Sequence, residues 1–188
     1  MTSQTPQLKL FCHRDSACLA VRSIEVELAW RGDNLCLAYR VAGDARQLSL
    51  PQPVRPGRQD NLWQHTCFEL FMAGGATAGG VYVELNFSPS TRWAAYRFDG
   101  YRQGMAELPL SSAPDIRVDV TPAGLVVHVV IDWRGLMFAS RGGIRLGLAA
   151  VIEERDRTLS YWALAHPSLK PDFHHPDGFI ATLPDNVG

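Results

Sequence analysis

Lysine is scarce in this sequence, which contains only Lys9 and Lys170, and no run of basic residues occurs. The 18 lysines and arginines are balanced by 19 aspartates and glutamates, so the formal net charge is -1 at pH 7. Nucleic-acid-binding domains usually carry a basic patch or stripe that follows the phosphate backbone. The sequence therefore predicts no nucleic-acid partner.

Long apolar runs are also missing. A membrane-spanning helix needs about 18 or more consecutive apolar residues, and the chain has no such run. The first residues, MTSQTPQLKL, do not place a basic flank before an apolar segment, as a secretory signal peptide would. We therefore expect no membrane segment and a cytoplasmic location.

Several common functional motifs are absent as well. The four cysteines (Cys12, Cys18, Cys36 and Cys67) include no C-x-x-C pair, so reduced thiols are expected rather than zinc ligands or disulfides. Neither a nucleophile elbow nor a phosphate-binding glycine motif occurs. We predict a protein that is not an enzyme and that carries no cofactor.

Short alternating runs and turn residues fill the chain instead. Ten runs predict strands, at 22–30, 34–42, 65–73, 80–88, 92–99, 115–121, 125–133, 144–154, 159–165 and 178–183. Turns such as RGD, AGGATAGG, SPST, TPAG and SRGG separate them, and WRGLMFA (133–139) predicts one helical turn. This pattern predicts an all-β protein, an antiparallel β-sandwich of about ten strands in a single domain over residues 1–188.

Three consecutive runs, 65–73, 80–88 and 92–99, predict a meander with two different faces. One face is apolar and is expected to build the core. The other face is expected to carry aromatic and polar side chains, namely Trp63, Tyr82, Trp93, Glu69, Glu84, Asn86 and Arg97. Aromatic rings stack on the C–H patches of sugars, and carboxylates, amides and guanidinium groups bind adjacent hydroxyls. This combination indicates a saccharide-binding surface.

Two other interpretations of this face stay open. A second layer could cover it, in which case Arg97 would lie between Glu69 and Glu84 in a buried ion-pair network. Alternatively, the aromatic side chains could dock a partner protein or a second copy of the chain, because protein interfaces favour aromatic residues and arginine.

Two segments resemble a known superfamily. LWQHTCFELF followed by VYVELNFSP, and the final SYWALAHPSLKPDFHHPDGFIATL, resemble the DOMON-like, family-nine carbohydrate-binding-module superfamily, and a bacterial group of DOMON-like proteins in particular. The resemblance covers about residues 60–183. It implies a β-sandwich that binds a sugar without catalysing a reaction.

Modules of family nine clamp a sugar between two aromatic rings. By motif position the resemblance places the first ring at Trp63 and the second at Phe173, with the loop KPDFHHPDGF as a lid that also carries His174 and His175. The chain departs from those modules in two ways. A phenylalanine stands at the second ring position, and Glu84 stands where they use a basic residue, which Arg97 could replace from the neighbouring strand.

The late histidines and the carboxylates allow three further interpretations. His166, His174 and His175, with Asp172 and Asp177, could bind a divalent metal, although their spacing matches no standard ligand pattern. Some DOMON-like relatives bind haem between a methionine and a histidine. Met72 is expected on the core face, so the haem pair here would be Met105 and a late histidine.

Glu69 and Glu84 could instead act on a glycosidic bond, because two carboxylates on adjacent strands have a suitable separation. Against this, Arg97 would keep both ionised, and a general acid must be protonated. The sequence thus predicts a binding module for a saccharide or similar small molecule, with a pocket formed by Trp63, Glu69, Glu84, Asn86, Arg97, Phe173, His174 and His175.

Overall fold

A computed structural model describes residues 7–74, 80–136 and 143–183. The strands are β1 (Gln7–Cys12), β2 (Val21–Arg31), β3 (Asn34–Gly43), β4 (Gly57–Arg58), β5 (Cys67–Gly74), β6 (Tyr82–Phe87), β7 (Arg92–Phe98), β8 (Ala106–Glu107), β9 (Asp115–Thr121), β10 (Gly124–Asp132), β11 (Ile144–Glu153), β12 (Leu159–Ala163) and β13 (Ala181–Thr182). Short 3-10 turns lie at Ala45–Gln47, Leu62–Gln64, Trp133–Gly135 and Pro176–Gly178.

The all-β prediction is confirmed, and each of the ten predicted strands is present. The last of them is shorter than expected, because β13 covers two residues and a 3-10 turn precedes it. Three strands were not predicted: β1, β4 and β8. The helical turn predicted at 133–139 is a 3-10 turn at Trp133–Gly135, and its remainder at 137–139 lies outside the described residues, as do parts of the AGGATAGG and SRGG turns.

The strands form one curled, mostly antiparallel sheet that folds onto itself as two layers. The strand order is β4-β7-β6-β5-β11-β12-β1-β2-β3-β10-β9. β1 connects the layers, because its first part, Gln7–Leu10, pairs with β2, whereas Phe11 and Cys12 pair with β12. One layer therefore contains β2, β3, β9 and β10, and the other contains β5, β6, β7, β11 and β12.

The main core lies between these two layers. Alternate residues of β2, β3 and β10 face alternate residues of β5, β6 and β11, as the period-two alternation of the strands requires. Tyr39, Phe68 and Phe87 are among the largest fully buried side chains. The opposite face of the β5–β6–β7–β11–β12 layer carries a second, smaller apolar cluster beneath the C-terminal loop.

None of the helices in the described residues is long and apolar enough to cross a membrane.

Candidate functional site

A cavity of about 550 Å³ opens on the outer face of the β5–β6–β7–β11–β12 layer. Its floor is formed by side chains of these strands, namely Glu69, Glu84, Phe98, Val151, Leu159 and Tyr161. Its walls come from loops and comprise Trp63, Gln64, Arg102, Met105, Pro171, Phe173 and His174. The volume is within the range of small-molecule binding sites in proteins.

Cross-strand register brings the two floor carboxyls together. Glu69 of β5 lies opposite Asn86 of β6, and Glu84 is two residues from Asn86 on the same face of that strand. Glu69 and Glu84 are therefore diagonal neighbours on adjacent strands, close enough to interact. The sheet itself fixes this pair, since both residues lie within regular strands.

Glu69 is almost completely buried, with 2% of its surface exposed, and its Oε1 has no hydrogen-bond partner in the described part of the chain. Burial, together with the nearby carboxyl of Glu84, raises the pKa of Glu69 well above its ordinary value. An unpaired buried acceptor costs free energy. The Glu69 side chain is thus an unsatisfied acceptor on the floor of a cavity.

Glu84 is also buried, and one of its oxygens accepts a hydrogen bond while the other lies near a histidine. Its Oε1 accepts a 2.6 Å hydrogen bond from Asn86 Nδ2, and its Oε2 lies 3.8 Å from His174 Nε2. Burial raises the pKa of Glu84 to about 7, although the Asn86 hydrogen bond and the charge of Arg102 both act in the lowering direction. Near neutral pH the two carboxyls therefore hold a proton between them.

His174 reaches the floor from the C-terminal loop. Burial, with a smaller effect from the charge of Arg102, lowers the pKa of His174 to about 4, so the imidazole is neutral near pH 7. The Tyr82 hydroxyl lies 2.8 Å from His174 Nδ1 and accepts from the backbone N–H of Arg102. With Tyr82 donating to Nδ1, the ring proton is on Nε2, the nitrogen that faces Glu84.

The segment 168–179, which we call the lid, is held over the floor by Asp172. The Asp172 carboxylate accepts hydrogen bonds from the Tyr101 hydroxyl, from the Arg102 guanidinium at 2.8 Å and from the backbone N–H of His174. These donors keep the pKa of Asp172 below its ordinary value in spite of partial burial. One carboxylate therefore connects the lid to the loop after β7.

The lid also packs on the sheet through Phe179. Its ring stacks on Phe71 at a centroid distance of 5.6 Å. The backbone of Gly147 permits this contact, because a Cβ at that position would be 2.6 Å from Phe179 Cδ1. A side chain at position 147 would thus displace the end of the lid.

Trp63 and Phe173 belong to different sides of the cavity. Trp63 lies in the 3-10 turn Leu62–Gln64 and makes an edge contact with Tyr96 of β7. Phe173 lies in the lid and contacts Tyr161 of β12. Because β7 and β12 are the outer strands of the floor, the two rings stand on opposite sides of the carboxyl pair.

The predicted position of Arg97 is wrong. Arg97 pairs with Val83 across β6 and β7, which places it on the face opposite Glu84, and it binds Asp99 at 3.0 Å. Trp93 is likewise on the core face, opposite Phe87. The sequence interpretation took the wrong phase for β7 because both faces of this strand carry aromatic side chains.

Two other predicted residues lie beside the cavity and do not line it. Asn86 is fully buried, donates to Glu84 and accepts from the Cys67 thiol at 3.6 Å. His175 caps the 3-10 turn Pro176–Gly178, its Nδ1 accepting from the backbone N–H of Asp177. Trp63, Glu69, Glu84, Phe173 and His174 line the cavity as predicted.

Arg102 was missed by the sequence interpretation. It stands in the loop after β7, where no alternation indicates which way a side chain points. It supplies the cavity's cationic side chain, but its guanidinium is engaged by Asp172. Leu159 and Tyr161 were also missed, although their alternation with the buried Ser160 and Trp162 could have placed them on one face.

The histidines considered for metal binding are dispersed. In the ranges 7–74, 80–136 and 143–183, no group of three or more His, Cys, Asp or Glu side chains has an arrangement that could hold a metal ion. His166 Nε2 binds the Phe11 carbonyl oxygen at 2.8 Å, away from His174 and His175. Of the proposed haem pair, Met105 and His174 both line the cavity, but both ring nitrogens of His174 face protein groups.

The buried carboxyls also bear on two of the open interpretations. The outer face is covered by the lid and the loop walls, yet Arg97 does not bridge Glu69 and Glu84, so the predicted network around Arg97 is absent from the described residues. The aromatic surface envisaged for a partner protein is only partly exposed, because Trp63 and Trp93 are half-buried. Tyr82 is 3% exposed, and Trp93 packs against the main core.

Comparison with solved structures identifies the class of fold. A candidate carbohydrate-binding protein from Bacteroides uniformis is similar over 93% of this chain and 84% of its own, with 14% sequence identity and a TM-score of 0.65. A family-nine carbohydrate-binding module from Caldicellulosiruptor kristjanssonii in complex with glucose is similar over 96% and 87%, with 12% identity and a TM-score of 0.52.

The same module in complex with cellotriose is similar over 92% of this chain and 80% of that chain, with 11% identity and a TM-score of 0.52. No protein-family model matches the sequence, and no curated protein matches it. The chain therefore has the β-sandwich fold seen in family-nine carbohydrate-binding modules. These structural neighbours comprise a candidate carbohydrate-binding protein and a carbohydrate-binding module.

Proposed function

We propose that this chain is a non-catalytic binding protein and that its cavity takes a saccharide or a similar polyhydroxylated ligand between Trp63 and Phe173. The observation that carries this proposal is the cavity itself. It combines aromatic rings on opposite sides with a floor of carboxyl groups, one of which has an unpaired oxygen. Rings of this kind cover the C–H faces of a sugar, while the floor accepts hydrogen bonds from its hydroxyls.

The fold supports the same function. The similar structures include a module with glucose and with cellotriose bound. The relationship to DOMON-like proteins and the cytoplasmic location are part of this proposal and rest on the sequence alone.

A titration with sugars tests the proposal. Tryptophan fluorescence and isothermal calorimetry would follow binding of neutral monosaccharides, disaccharides, sugar acids and amino sugars. We expect saturable binding of one class with a Kd between micromolar and millimolar, and a loss of about tenfold or more in affinity for Trp63→Ala and for Phe173→Ala, because each loses a stacking surface.

Phe11→Ala is the matched control, since Phe11 is 55% exposed on β1 and does not line the cavity. It should bind like the wild type. A flat response to the whole panel at high millimolar concentrations, from a protein whose circular dichroism shows it folded, would refute a saccharide site.

A second candidate function, action on a glycosidic bond, is favoured by the carboxyl pair. Raised pKa values keep a proton on this pair near neutral pH, as a general acid requires. The earlier objection, that Arg97 keeps both carboxyls ionised, does not apply because Arg97 faces the other way. Release of reducing ends from oligosaccharides, abolished in Glu69→Gln, would establish an enzyme instead of a binding protein.

A further inference from the structure

We propose that the saccharide bound in this cavity carries an ammonium group, as a 2-amino sugar does, and that Glu69 and Glu84 bind this group on the floor. The inference rests on the proposed function and specifies its ligand class. It follows from the unpaired buried oxygen, from the charge around it and from the number of donors that it requires.

The unpaired oxygen belongs to a side chain that lines the cavity. Glu69 is 2% exposed, and its Oε1 is buried and has no hydrogen-bond partner among the described residues. Buried polar atoms in native proteins nearly always have a partner, in the protein, in water or in a ligand. A donor from the ligand would supply the missing hydrogen bond.

The described side chains that line this cavity supply no unpaired cation. Arg102, the cation of the cavity wall, is bound by Asp172 at 2.8 Å. Arg97 is on the opposite face of the sheet, and Arg58 is bound to Asp60 and Glu107. Two carboxyls thus share a buried floor whose nearest cation, Arg102, is already paired with Asp172, an arrangement that favours a shared proton or a cation brought by the ligand.

The remaining titratable groups around the pair are neutral. Tyr39, from the main core, and Cys67, on the outer face of β5, lie close to Glu69, and burial raises the pKa of each well above its ordinary value. Tyr82 and Tyr96 lie beside Glu84, and burial raises their pKa values as well. None of these side chains carries a charge that could balance the carboxylates near neutral pH.

An ammonium group fits this floor better than a hydroxyl or a metal ion. An ammonium has three N–H donors and a full positive charge, whereas a hydroxyl donates one hydrogen and brings no charge. A divalent cation prefers six or more oxygen ligands, and the described residues offer no group of three acidic or other metal-binding side chains. An ammonium would bind Glu69 Oε1 and the Glu84 carboxylate together.

The proton balance of this step is explicit. In the empty site the carboxyl pair holds a proton, and binding of R–NH3+ stabilises both carboxylates, so the proton leaves for the buffer. Near pH 7 the binding of an amino sugar therefore releases up to one proton. The binding of a neutral sugar leaves the proton on the pair.

Calorimetry with three matched ligands tests the inference. Glucose, glucosamine and N-acetylglucosamine share the ring, but glucosamine alone carries an ammonium group. At pH 7 we expect glucosamine to bind at least about tenfold more tightly than the other two. In two buffers with different ionisation enthalpies, its binding should show proton release, and glucose binding should show none.

Variants separate this inference from the proposed function. Glu69→Gln and Glu84→Gln should remove the preference for glucosamine over glucose and the proton release, whereas Trp63→Ala should weaken all three sugars alike and keep that preference. Glu27→Gln, on the opposite layer and 36% exposed at the side chain, should keep both. Melting curves would confirm that each variant is folded.

The outcomes are distinguishable. Glucose binding as tightly as glucosamine would overturn the ammonium site and leave the saccharide proposal standing. If neither these three sugars nor any other sugar binds, both the ammonium site and the saccharide proposal are overturned.

Discussion

At the scale of single residues, the floor of the cavity is a compromise between stability and binding. Glu69 and Glu84 lie in regular strands where apolar side chains would pack without a desolvation cost. They are instead buried carboxyls, and Glu84 accepts a hydrogen bond from Asn86 while Glu69 Oε1 has no partner among the described residues. The folded protein tolerates this pair by keeping it partly protonated.

This arrangement predicts how stability depends on pH. Glu84 ionises near its ordinary pKa of 4.5 in the unfolded chain but at about 7 in the folded protein. Between these values the folded state binds more protons, so the free energy of unfolding falls as the pH rises. We expect Glu84→Gln to gain stability relative to the wild type from about pH 4.5 to about pH 7, by roughly 3 kcal/mol at most.

Urea unfolding at a series of pH values would measure the difference between the two proteins. The comparison with the wild type is needed because the pH dependence of His174 is opposite to that of Glu84. The lowered pKa of His174 stabilises the folded protein above pH 6.5, and this stabilisation is lost as the pH falls toward 4. The pKa of Glu27 is lowered by a hydrogen bond from Arg40, so the contribution of Glu27 to the free energy of unfolding rises with pH, opposite to that of Glu84. A Glu84→Gln difference that does not change with pH would contradict a buried, proton-holding carboxyl.

At the scale of strands and loops, the alternation of apolar and polar residues predicted where the strands lie. It was less successful in predicting which face of the sheet each side chain occupies. β5 and β6 each have one plainly apolar face, so Glu69 and Glu84 were placed correctly. β7 reads RWAAYRF, in which both faces carry an aromatic and an arginine, and its phase is set by the hairpin that pairs Phe87 with Trp93. That pairing depends on the turn at 88–91, where Thr91 has a left-handed φ of 70°, and not on the hydrophobic pattern.

Loops limited the prediction of the site further. Phe173 and His174 were placed in the cavity by resemblance, because both stand within a distinctive lid sequence. Arg102 and Met105 lie in an irregular segment whose direction is determined by contacts distant in sequence, such as that between Arg102 and Asp172. β1 was missed because its six residues alternate irregularly in burial as the strand passes from one layer to the other.

The lid supplies a prediction at this scale. In Asp172→Asn the charge that holds Arg102 and the Tyr101 hydroxyl is removed, so the lid should open more often and ligand affinity should fall roughly tenfold, mainly through faster dissociation. Stopped-flow fluorescence would give the dissociation rate, and hydrogen exchange of the backbone amides of residues 172–175 would report the opening.

Asp177→Asn is the control within the same lid, because the Asp177 side chain is 71% exposed. It should leave both measurements unchanged. Equal effects of the two substitutions would show that the net negative charge of the lid, rather than the hydrogen bonds and ion pair of Asp172, holds the lid in place.

At the scale of the whole molecule, both layers share one apolar core, and β1 belongs to both. Leu10 is fully buried at the point where β1 leaves β2 for β12. Neither layer can bury its inner face without the other. We therefore expect the predicted single domain to unfold in one transition, in which circular dichroism and tryptophan fluorescence coincide.

Leu10→Ala should lower the free energy of unfolding by about 2–5 kcal/mol, because it leaves a cavity between the layers. Leu19→Ala, at a side chain that is 93% exposed, should change it by less than about 0.5 kcal/mol. Urea unfolding would measure both. Ligand affinity should be unchanged in Leu10→Ala below its transition, and a loss of affinity there would mean that the floor depends on the core more directly than the layered structure implies.

The division of the cavity into floor and walls also determines how its selectivity can be changed. Floor residues alternate along strands with core residues, so a substitution there alters ligand choice and folding together. The wall residues of the 3-10 turn Leu62–Gln64 and of the lid lie outside the strands, so they do not alternate with core residues. We therefore expect variant libraries confined to Trp63, Gln64, Pro171 and Phe173 to change which ligand the cavity accepts at a smaller cost in stability than floor substitutions, a cost that arises where Trp63 and Phe173 pack on the second apolar cluster.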